Sequence, residues 1–309
     1  MVTGGLGFIG SCFVDMALNK GYEVVNVDKM TYAARKDLDF DSRDGYTFIK
    51  GDIADMKELP AGIGTIVNFA AESHVDNSIA DSSAFMRSNI SGVHNLLELV
   101  RKAGRAGMDG PKQPLFLQIS TDEVYGDILK GAFKETDLLK PSNPYSATKA
   151  AAEQLVMGWG RTHGIKYRIT RSSNNYGPGQ SNEKFIPSIL ESAKSGRKAK
   201  VYGNGLNRRE WTHVEDNCAA IFLVMEKGAD SEIYNISSGE ELTNLEVAKK
   251  VLSAAGKPGN YFELVADRPG HDVRYSVDST KIAKLGWKPK ISFEEGIRRT
   301  FSYFSQNTR

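Results

Sequence analysis

Short apolar runs alternate, through the first half of the chain, with stretches whose apolar residues recur at helical spacing. Runs rich in β-branched and aromatic residues predict strands over residues 23–28, 46–50, 65–71, 115–120 and 166–171. Helical spacing predicts helices from about 8 to 20, over 83–103 and over 145–162. Strands that alternate with helices favour right-handed crossovers and a parallel sheet.

The pattern loosens after residue 171, where Gly, Asn, Pro and charged residues become frequent. A helix at about 213–227 and a strand over 232–236 interrupt this region and can return to the sheet. We therefore predict an α/β fold of the Rossmann type, a doubly wound parallel sheet with a smaller C-terminal substrate-binding lobe. The predicted sheet domain takes residues 1–171 plus about 213–238, and the predicted lobe takes 172–212 and 239–309.

Composition narrows the class of protein. The 309 residues suggest two lobes, and 40 basic against 38 acidic residues leave a net charge of +2, too balanced for a nucleic-acid-binding protein. No apolar run approaches the roughly 18 residues that would span a bilayer. Cys12 and Cys218 form no CxxC pair, which favours a reducing cytoplasm. The five histidines lack metal-ligand spacing, so no catalytic metal is expected.

The opening glycines predict a dinucleotide site. Gly4, Gly7 and Gly10 belong to the segment GGLGFIG, which satisfies GxGxxG between a short strand and a helix. Such glycines allow a tight turn and close approach of a pyrophosphate, and the helix N-terminus at Phe8 and Ile9 supplies free N–H groups. Only three residues precede the glycines, which predicts an unusually short first strand.

Asp28 ends the next predicted strand. A carboxylate there can accept hydrogen bonds from the adenine ribose and repels a 2′-phosphate, so NAD is expected rather than NADP. The alternative role for Asp28 is a cap at the end of the strand.

Tyr145 and Lys149 lie four residues apart, on one face of a predicted helix. A free tyrosine has a pKa of about 10 and is a poor base at neutral pH. We expect the Lys149 ammonium, with a positive nicotinamide, to favour the phenolate, while the same lysine holds the nicotinamide ribose. The alternative is an exposed helix pair without catalytic role.

Thr121, Asp122 and Glu123 stand where the predicted strand 115–120 ends. Along a regular strand the two acids would point to opposite faces, but a strand that stops at Thr121 lets both turn into a cleft. Two close carboxylates cannot both ionise cheaply, which predicts one protonated acid beside one base. Thr121 is expected to bond a substrate hydroxyl together with Tyr145. The alternative is a solvated acidic loop.

Several segments occur in an order that resembles one family from end to end: GGLGFIG, VDKMTYA, FAAESHVD, STDEVYG, NPYSATKAAAE, SNNYGP and RPGHD. The chain resembles the dTDP-glucose 4,6-dehydratase family of the extended short-chain dehydrogenase/reductase superfamily. The Thr-Asp-Glu triplet is the discriminating motif, because the related UDP-glucose 4-epimerases lack the carboxylate pair.

The resemblance implies an internal redox cycle on a nucleotide-linked glucose. Tyr145 removes the proton of the 4-hydroxyl while hydride passes from C4 to NAD⁺. Glu123 then takes the C5 proton, and protonated Asp122 donates to the departing 6-hydroxyl. NADH returns its hydride to C6, a proton is restored at C5, and the product is a 4-keto-6-deoxy sugar nucleotide.

The resemblance also assigns binding residues. Those expected at the cofactor are Lys29, Asp52, Ile53, Ala70 and Ala71, with Asn89 near cofactor and sugar. Those expected at the substrate are His74, Asn175, Lys184, Tyr202, Arg209, Asn244 and His271. Arg209 matches the arginine that binds the pyrophosphate, with Arg208 as its competitor. A homodimer through helices 83–103 and 146–162 is also implied, although their apolar faces fit burial inside one chain equally well.

The sequence leaves two other functional hypotheses. A 4-epimerase or UDP-sugar decarboxylase of the same superfamily is the runner-up, and the carboxylate pair argues against the epimerase. A non-enzymatic NAD sensor would be expected to lack Tyr145 or Lys149, and both are present. The nucleobase is open between thymine and uracil, because Asn182 and Lys200 stand where the family usually has Pro.

Overall fold

The computed structural model describes residues 1–104, 113–267 and 270–306. The strands are β1 (Val2–Thr3), β2 (Val24–Asp28), β3 (Tyr46–Lys50), β4 (Thr65–Asn68), β5 (Leu115–Thr121), β6 (Tyr167–Ser172), β7 (Asn174–Tyr176), β8 (Ala199–Tyr202), β9 (Arg208–His213), β10 (Glu232–Ile236), β11 (Glu241–Thr243) and β12 (Phe262–Val265). The α-helices are α1 (Phe8–Asn19), α2 (Val75–Ala80), α3 (Ser83–Phe85), α4 (Gly92–Ala103), α5 (Pro144–His163), α6 (Phe185–Lys194), α7 (Val214–Lys227), α8 (Asn244–Ala254), α9 (Thr280–Lys284) and α10 (Phe293–Gln306). A π-helical segment (Met86–Ser91) joins α3 to α4, and a 3-10 helix (Asp122–Tyr125) follows β5.

Seven parallel strands form the central sheet in the order β10-β6-β5-β4-β1-β2-β3. The predicted doubly wound α/β fold is therefore confirmed, and β10 returns to the sheet as predicted. The chain order reverses between β1 and β4, and open α/β sheets bind their ligands beyond the carboxyl ends of the strands at such a point.

The first strand has two residues, yet it occupies the centre of the sheet, paired with β2 on one side and β4 on the other. Val2 and Thr3 are both buried. The strand is as short as the sequence predicts, and its central position gives these two residues neighbours on both edges.

Helices cover both faces of the sheet, which is why its strands are nearly continuous apolar runs. On one face α1 packs against α7, with Phe13 and Phe222 stacked at a centroid separation of 4.1 Å. On the other face α4 and α5 pack over buried residues such as Ile66, Phe116 and Ile169. The site described below lies beyond the carboxyl ends of the strands, which these two helical layers leave uncovered.

Two predicted elements differ from the structure. The strand predicted over 65–71 ends at Asn68, and residues 69–74 continue without strand structure. The helix predicted over 83–103 contains the π-helical turn, where Asn89 is buried and bonds to Glu72 and Thr148. Apolar periodicity alone cannot reveal one extra residue in a helical turn.

The remaining residues form smaller units beside the sheet. Strands β7, β9 and β11 form one small sheet, and β8 pairs with β12. Helices α6, α8 and α10 enclose a separate apolar cluster with Trp211 at its edge. The division into a sheet domain and a substrate-binding lobe stays a prediction.

Candidate active site

A cleft of about 460 Å³ opens beyond the carboxyl ends of the central strands. With the exception of Asn89, every residue predicted for catalysis or cofactor binding lines it: Gly4, Gly7, Phe8, Ile9, Gly10, Asp28, Lys29, Asp52, Ile53, Ala70, Ala71, Thr121, Asp122, Glu123, Tyr145 and Lys149. These residues come from six segments of the chain, and the parallel sheet brings the ends of those segments together.

The glycine loop is built for close approach of backbone. Gly4 has φ +69°, and a Cβ on it would lie 2.7 Å from the backbone nitrogen of Ala70. A Cβ on Gly10 would overlap the carbonyl oxygen of Gly4. Helix α1 starts after Gly7 without a side-chain cap, so its first N–H groups are directed at the cleft. Such a helix start suits a pyrophosphate.

Asp28 supports the glycine loop as well as lining the cleft. Its carboxylate accepts hydrogen bonds from the backbone N–H of Leu6 at 3.0 Å and of Met30 at 2.7 Å. The predicted role at the ribose and the alternative role as a cap are therefore compatible, since a carboxylate has about four lone-pair positions. Asp28 is fixed against the loop whose phosphate site it adjoins.

Two other predicted cofactor residues are anchored by ion pairs. Lys29 lies 3.1 Å from Glu72 and donates to the Ser88 hydroxyl at 2.7 Å. Asp52 accepts from the backbone N–H of Ala54 and from Arg87. These contacts hold the loops after β2 and β3 in place around the cleft.

Helix α5 presents Tyr145 and Lys149 to the cleft. Asn143 and Ser146 form a reciprocal capping box, and Pro144 occupies the first helical position, where its missing N–H costs nothing. Tyr145 and Lys149 are both buried, and the Lys149 ammonium donates to the carbonyl oxygen of Ile119 at 2.6 Å. The helix start therefore fixes the predicted pair on the cleft face.

The pKa values of this pair differ in part from the sequence-based expectation. Burial lowers the pKa of Lys149 to about 8, although the charge of Glu153 raises it. Burial, together with the charges of Glu123 and Asp122, raises the pKa of Tyr145 above its ordinary value. The net shift of the Tyr145 pKa in the chain alone is therefore opposite to the predicted depression, and the Lys149 ammonium donates its hydrogen bond to strand β5.

The carboxylate pair lies where the sequence places it. Strand β5 ends at Thr121, and the 3-10 helix then turns Asp122 and Glu123 into the cleft. The Thr121 hydroxyl donates to Asp122 at 3.2 Å and accepts from the N–H of Glu123 at 3.3 Å. The Thr121 hydroxyl thus contacts the side chain of Asp122 and the backbone of Glu123.

Asp122 lies in surroundings that favour the protonated form of its carboxyl group. Its side chain is 2% exposed, and its Oδ2 has no hydrogen-bond partner among the described residues. Burial, and next the charges of Glu123 and Glu210, raise its pKa well above its usual range. An unpartnered buried oxygen of this kind suits a neutral carboxyl group that can donate a proton.

The residues predicted for substrate binding divide into two groups. Asn175 and Lys184 line the cleft, and Lys184 donates to the carbonyl oxygen of Ser73 at 2.9 Å. His74 accepts from the backbone N–H of Asn77 at the start of α2, beside the cleft. The other four, Tyr202, Arg209, Asn244 and His271, do not line the cleft in the described structure.

Arg209 is buried against the loop that follows β12. Its guanidinium donates to the carbonyl oxygens of Asp272 at 2.7 Å and Val273 at 3.3 Å, and lies 4.2 Å from the Tyr275 ring centroid. Arg208, its sequence-based competitor, is exposed and pairs with Glu241 at 3.0 Å. The structure thus favours Arg209 as the buried cation of the two.

Sequence reasoning missed several cleft residues. Ser88, the segment 31–35, Ser172, Ser173 and Gln180 also line the cleft. Asn89 is not a lining residue: it brackets the backbone of Glu72 and donates to Thr148 at 2.9 Å, so it positions the loop that carries Ala70 and Ala71. Ser88 enters the site through the π-helical turn, and residues 31–35 and Gln180 lie on irregular loops, where periodicity gives no guide to the direction of a side chain.

Two absences hold for the part of the chain that is described. No group of three or more His, Cys, Asp or Glu residues could hold a metal ion there. In the same residues, no helix is both long enough and apolar enough to cross a membrane.

A parallel sheet with a glycine loop at its reversal point and a Tyr/Lys helix across the cleft defines an extended short-chain dehydrogenase/reductase. The sequence model of the GDP-mannose 4,6 dehydratase family matches residues 1–300. The chain belongs to this dehydratase family, and the predicted resemblance is confirmed at that level.

Individual relatives narrow the similarity. The chain is 47% identical to the low-salt glycan biosynthesis protein Agl12 of Haloferax volcanii, over 98% of this chain and 97% of that protein. It is 42% identical to the dTDP-glucose 4,6-dehydratase of Haemophilus influenzae, over 100% of this chain and 98% of that protein. The crystal structure of DesIV, a dTDP-glucose 4,6-dehydratase of Streptomyces venezuelae with NAD and TYD bound, has a TM-score of 0.92 and 42% identity, covering 99% of this chain and 96% of that one.

Proposed function

We propose that this chain is an NAD-dependent dTDP-glucose 4,6-dehydratase, a hydro-lyase that forms the 4-keto-6-deoxy sugar nucleotide. The observation that carries the proposal is the carboxylate pair Asp122–Glu123 in one cleft with Tyr145 and Lys149. Similarity to dTDP-glucose 4,6-dehydratases over the full chain supports it. The related epimerase of Thermus thermophilus is less similar, at 29% identity.

The cleft fits NAD. The uncapped start of α1 would hold the pyrophosphate, Asp28 the adenine ribose, and Lys149 the nicotinamide ribose. Gly4 lines the cleft, and a Cβ on it would overlap the backbone of Ala70, so the loop keeps its close packing only with glycine there. When bound, NAD⁺ supplies a hydride acceptor and a positive ring, and in its reduced form it returns the hydride to C6.

Tyr145 acts as the base at the sugar 4-hydroxyl. Its phenol is protonated in the chain alone, because burial and the neighbouring acids raise its pKa. Against these effects the Thr121 hydroxyl lowers the Tyr145 pKa, and a positive ring in the cleft would act in the same direction. The Lys149 ammonium, with a pKa of about 8, is mostly charged at pH 7 and stabilises the same developing charge.

The two acids divide the elimination between them. Once C4 is a ketone, the C5 proton is acidic, and Glu123 removes it. Asp122, neutral because burial raises its pKa, gives its proton to the 6-hydroxyl, which leaves as water. The cleft thus offers a buried carboxyl group with a raised pKa as the acid and, next to it in the chain, a second carboxyl group as the base.

The decisive experiment incubates the purified protein and NAD with dTDP-glucose and, separately, with UDP-glucose. The expected product has lost one water, with no net change in NAD. A 4-epimerase would leave the mass of the sugar nucleotide unchanged, and a decarboxylase would release carbon dioxide from a uronic acid instead. Comparing the two nucleotides decides the base preference, for which thymine is proposed.

A homodimer and a cytoplasmic location complete the proposal. Helices α4 and α5 pack side by side and would pair with the same helices of a second copy. Trp159 on α5 donates to Glu98 on α4 at 2.8 Å, which braces the two helices into one surface. Light scattering at several concentrations tests the dimer, and a monomer at all of them would contradict it.

A further inference from the structure

A buried ion pair lies directly behind the cleft and belongs to none of the roles described so far. Arg171 at the end of β6 is 2% exposed and Glu153 on α5 is fully buried. The guanidinium donates to both carboxylate oxygens of Glu153, from Nε at 3.1 and 3.0 Å and from Nη2 at 2.6 Å. This is the side-on, bidentate geometry that is strongest for an arginine and a carboxylate.

The same guanidinium reaches the helix that carries the two acids. Its Nη1 donates to the Tyr125 hydroxyl at 2.6 Å, and the guanidinium lies 4.6 Å from the Tyr125 ring centroid. Tyr125 in turn donates to Asn235 on β10 at 2.8 Å and stacks on Phe133. Arg171 is therefore a single buried link between α5, the 3-10 helix and the edge of the sheet.

The positions of the linked residues connect this network to catalysis. Glu153 follows Lys149 by one helical turn and Tyr145 by two, on the same face of α5. Tyr125 closes the 3-10 helix that starts with Asp122 and Glu123. The Tyr145–Lys149 pair and the acid pair thus stand on separate elements, α5 and the 3-10 helix. Each element also carries one residue, Glu153 or Tyr125, that bonds to Arg171.

Stability alone does not explain such a network. Replacing a buried ion pair by apolar residues of similar volume is often neutral or stabilising, because burying two charges costs about as much as their attraction returns. A charged cluster behind an active site is therefore better explained by what it positions than by its contribution to folding.

We propose that the Arg171–Glu153 ion pair, together with Tyr125, is a positioning unit for the dehydratase reaction, which fixes the acid pair relative to the Tyr145–Lys149 helix. The inference rests on the proposed function. Arg171, Glu153 and Tyr125 touch neither reacting atoms nor cofactor positions in the cleft.

Lys149 is the group whose charge this unit supports. Its charged neighbour on α5 is Glu153, one helical turn further along, and Glu153 is in turn paired with Arg171 on β6. Strand β5 has no titratable side chain, and Arg87 of the π-helical segment is directed outward to Asp52 and Asp55. Glu153 is the charge that raises the Lys149 pKa against the effect of burial.

The first test replaces the whole ion pair, as Glu153→Leu with Arg171→Met, so that no buried charge is left alone. Hydride transfer to NAD⁺ from dTDP-glucose is followed by the near-ultraviolet absorbance of NADH between pH 6 and 9.5. We expect the alkaline loss of rate to begin about one pH unit lower than in the wild type, because Lys149 loses its proton earlier without Glu153. The matched control is Arg168→Met with Asp230→Asn, which removes an ion pair between strand β6 and the loop before β10. Neither residue lines the cleft, so the pH profile of this control should equal that of the wild type.

The second test is Tyr125→Phe, a change small enough to leave the fold intact. The substitution removes the hydroxyl that accepts from Arg171, so Asp122 and Glu123 are held less firmly. Loss of water should slow about tenfold or more while hydride transfer keeps most of its rate, and NADH should therefore accumulate during turnover. An unchanged pH profile in the folded double variant, or equal losses in both steps for Tyr125→Phe, would overturn the positioning role.

Failure of the proposed function can be told apart from failure of this inference. If the wild type does not convert dTDP-glucose, the function is wrong, and the positioning unit is judged without substrate. Lysine-selective ¹⁵N NMR then follows the titration of Lys149, which the spectrum of Lys149→Met identifies. If Lys149 titrates at the same pH in the double variant as in the wild type, that result contradicts the proposal even without any activity measurement.

Discussion

Replacing Lys149 by Met should stabilise the protein while removing its activity. The buried lysine has a pKa of about 8 in the folded chain, against 10.5 in an unfolded one. Each unit of such a difference corresponds to about 1.4 kcal/mol, so burying the ammonium costs about 3 kcal/mol wherever it must be charged. Met fills a similar volume without that charge.

The expected gain is smaller than this cost. The substitution also removes the hydrogen bond from Lys149 to the carbonyl oxygen of Ile119, whose loss costs about 1 kcal/mol. The net gain near pH 7 is therefore about 2 kcal/mol in the free energy of unfolding. For a chain of this length that is a rise of about 3 °C in melting temperature.

The destabilisation by the buried Lys149 depends on pH. The folded pKa lies below the unfolded one, so the folded state binds fewer protons between about pH 8 and 10.5. The destabilisation by wild-type Lys149 is therefore complete below about pH 8 and disappears as the pH rises to 10.5. Thermal unfolding followed by circular dichroism at pH 7, 8.5 and 10 should show the advantage of Lys149→Met shrinking at each step.

A control and an activity measurement complete the design. Lys57→Met removes an exposed lysine from a loop and should not stabilise the protein at any of these pH values. Hydride transfer should fall about 10²-fold or more in Lys149→Met, since the charge beside Tyr145 is lost. The reasoning is refuted if Lys149→Met is less stable than the wild type at pH 7, or if its advantage persists unchanged at pH 10.

Three further outcomes are expected. Glu123→Gln should abolish loss of water yet leave reduction of bound NAD⁺ by substrate measurable; dehydration at the wild-type rate would exclude Glu123 as the base. Tyr145→Phe should lower hydride transfer about 10³-fold with unchanged affinity for the sugar nucleotide, measured by calorimetry, because only the proton acceptor is removed. Asp28→Asn should weaken NAD binding about tenfold and narrow its preference over NADP, since the carboxylate repels a 2′-phosphate; equal affinity for both cofactors in the wild type would contradict this role.

Local chemistry explains why much of the site could be predicted. A glycine loop, a capped helix with residues four apart and an acid pair at the end of a strand each depend on neighbours in the chain. Gly4, Tyr145 and Asp122 therefore lie in the cleft as predicted. The pKa values of Asp122 and Lys149 could not be predicted in the same way. They depend on burial and on the charges of Glu210 and Glu153, respectively, which the fold brings close.

Three residues assigned to the substrate lie in or beside the loops outside the central sheet. Tyr202, Asn244 and His271 were assigned to the substrate by resemblance, and in the structure they stand outside the cleft lining. His271 contacts Asp267 and faces the Tyr202 ring at a centroid separation of 6.5 Å. Loop segments rich in Gly and Asn carry no periodicity from which the direction of a side chain could be inferred.

By itself the sequence determined the order of strands and helices, the class of cofactor and the residue types available for acid–base chemistry, because periodicity and motif spacing are local properties. Only the tertiary structure decided which of two adjacent acids is buried without a partner, and where the lysine ammonium bonds. It also decided that an arginine on β6 joins the two catalytic segments from behind. Burial and long-range contacts arise when distant segments pack together, and no stretch of chain contains them alone.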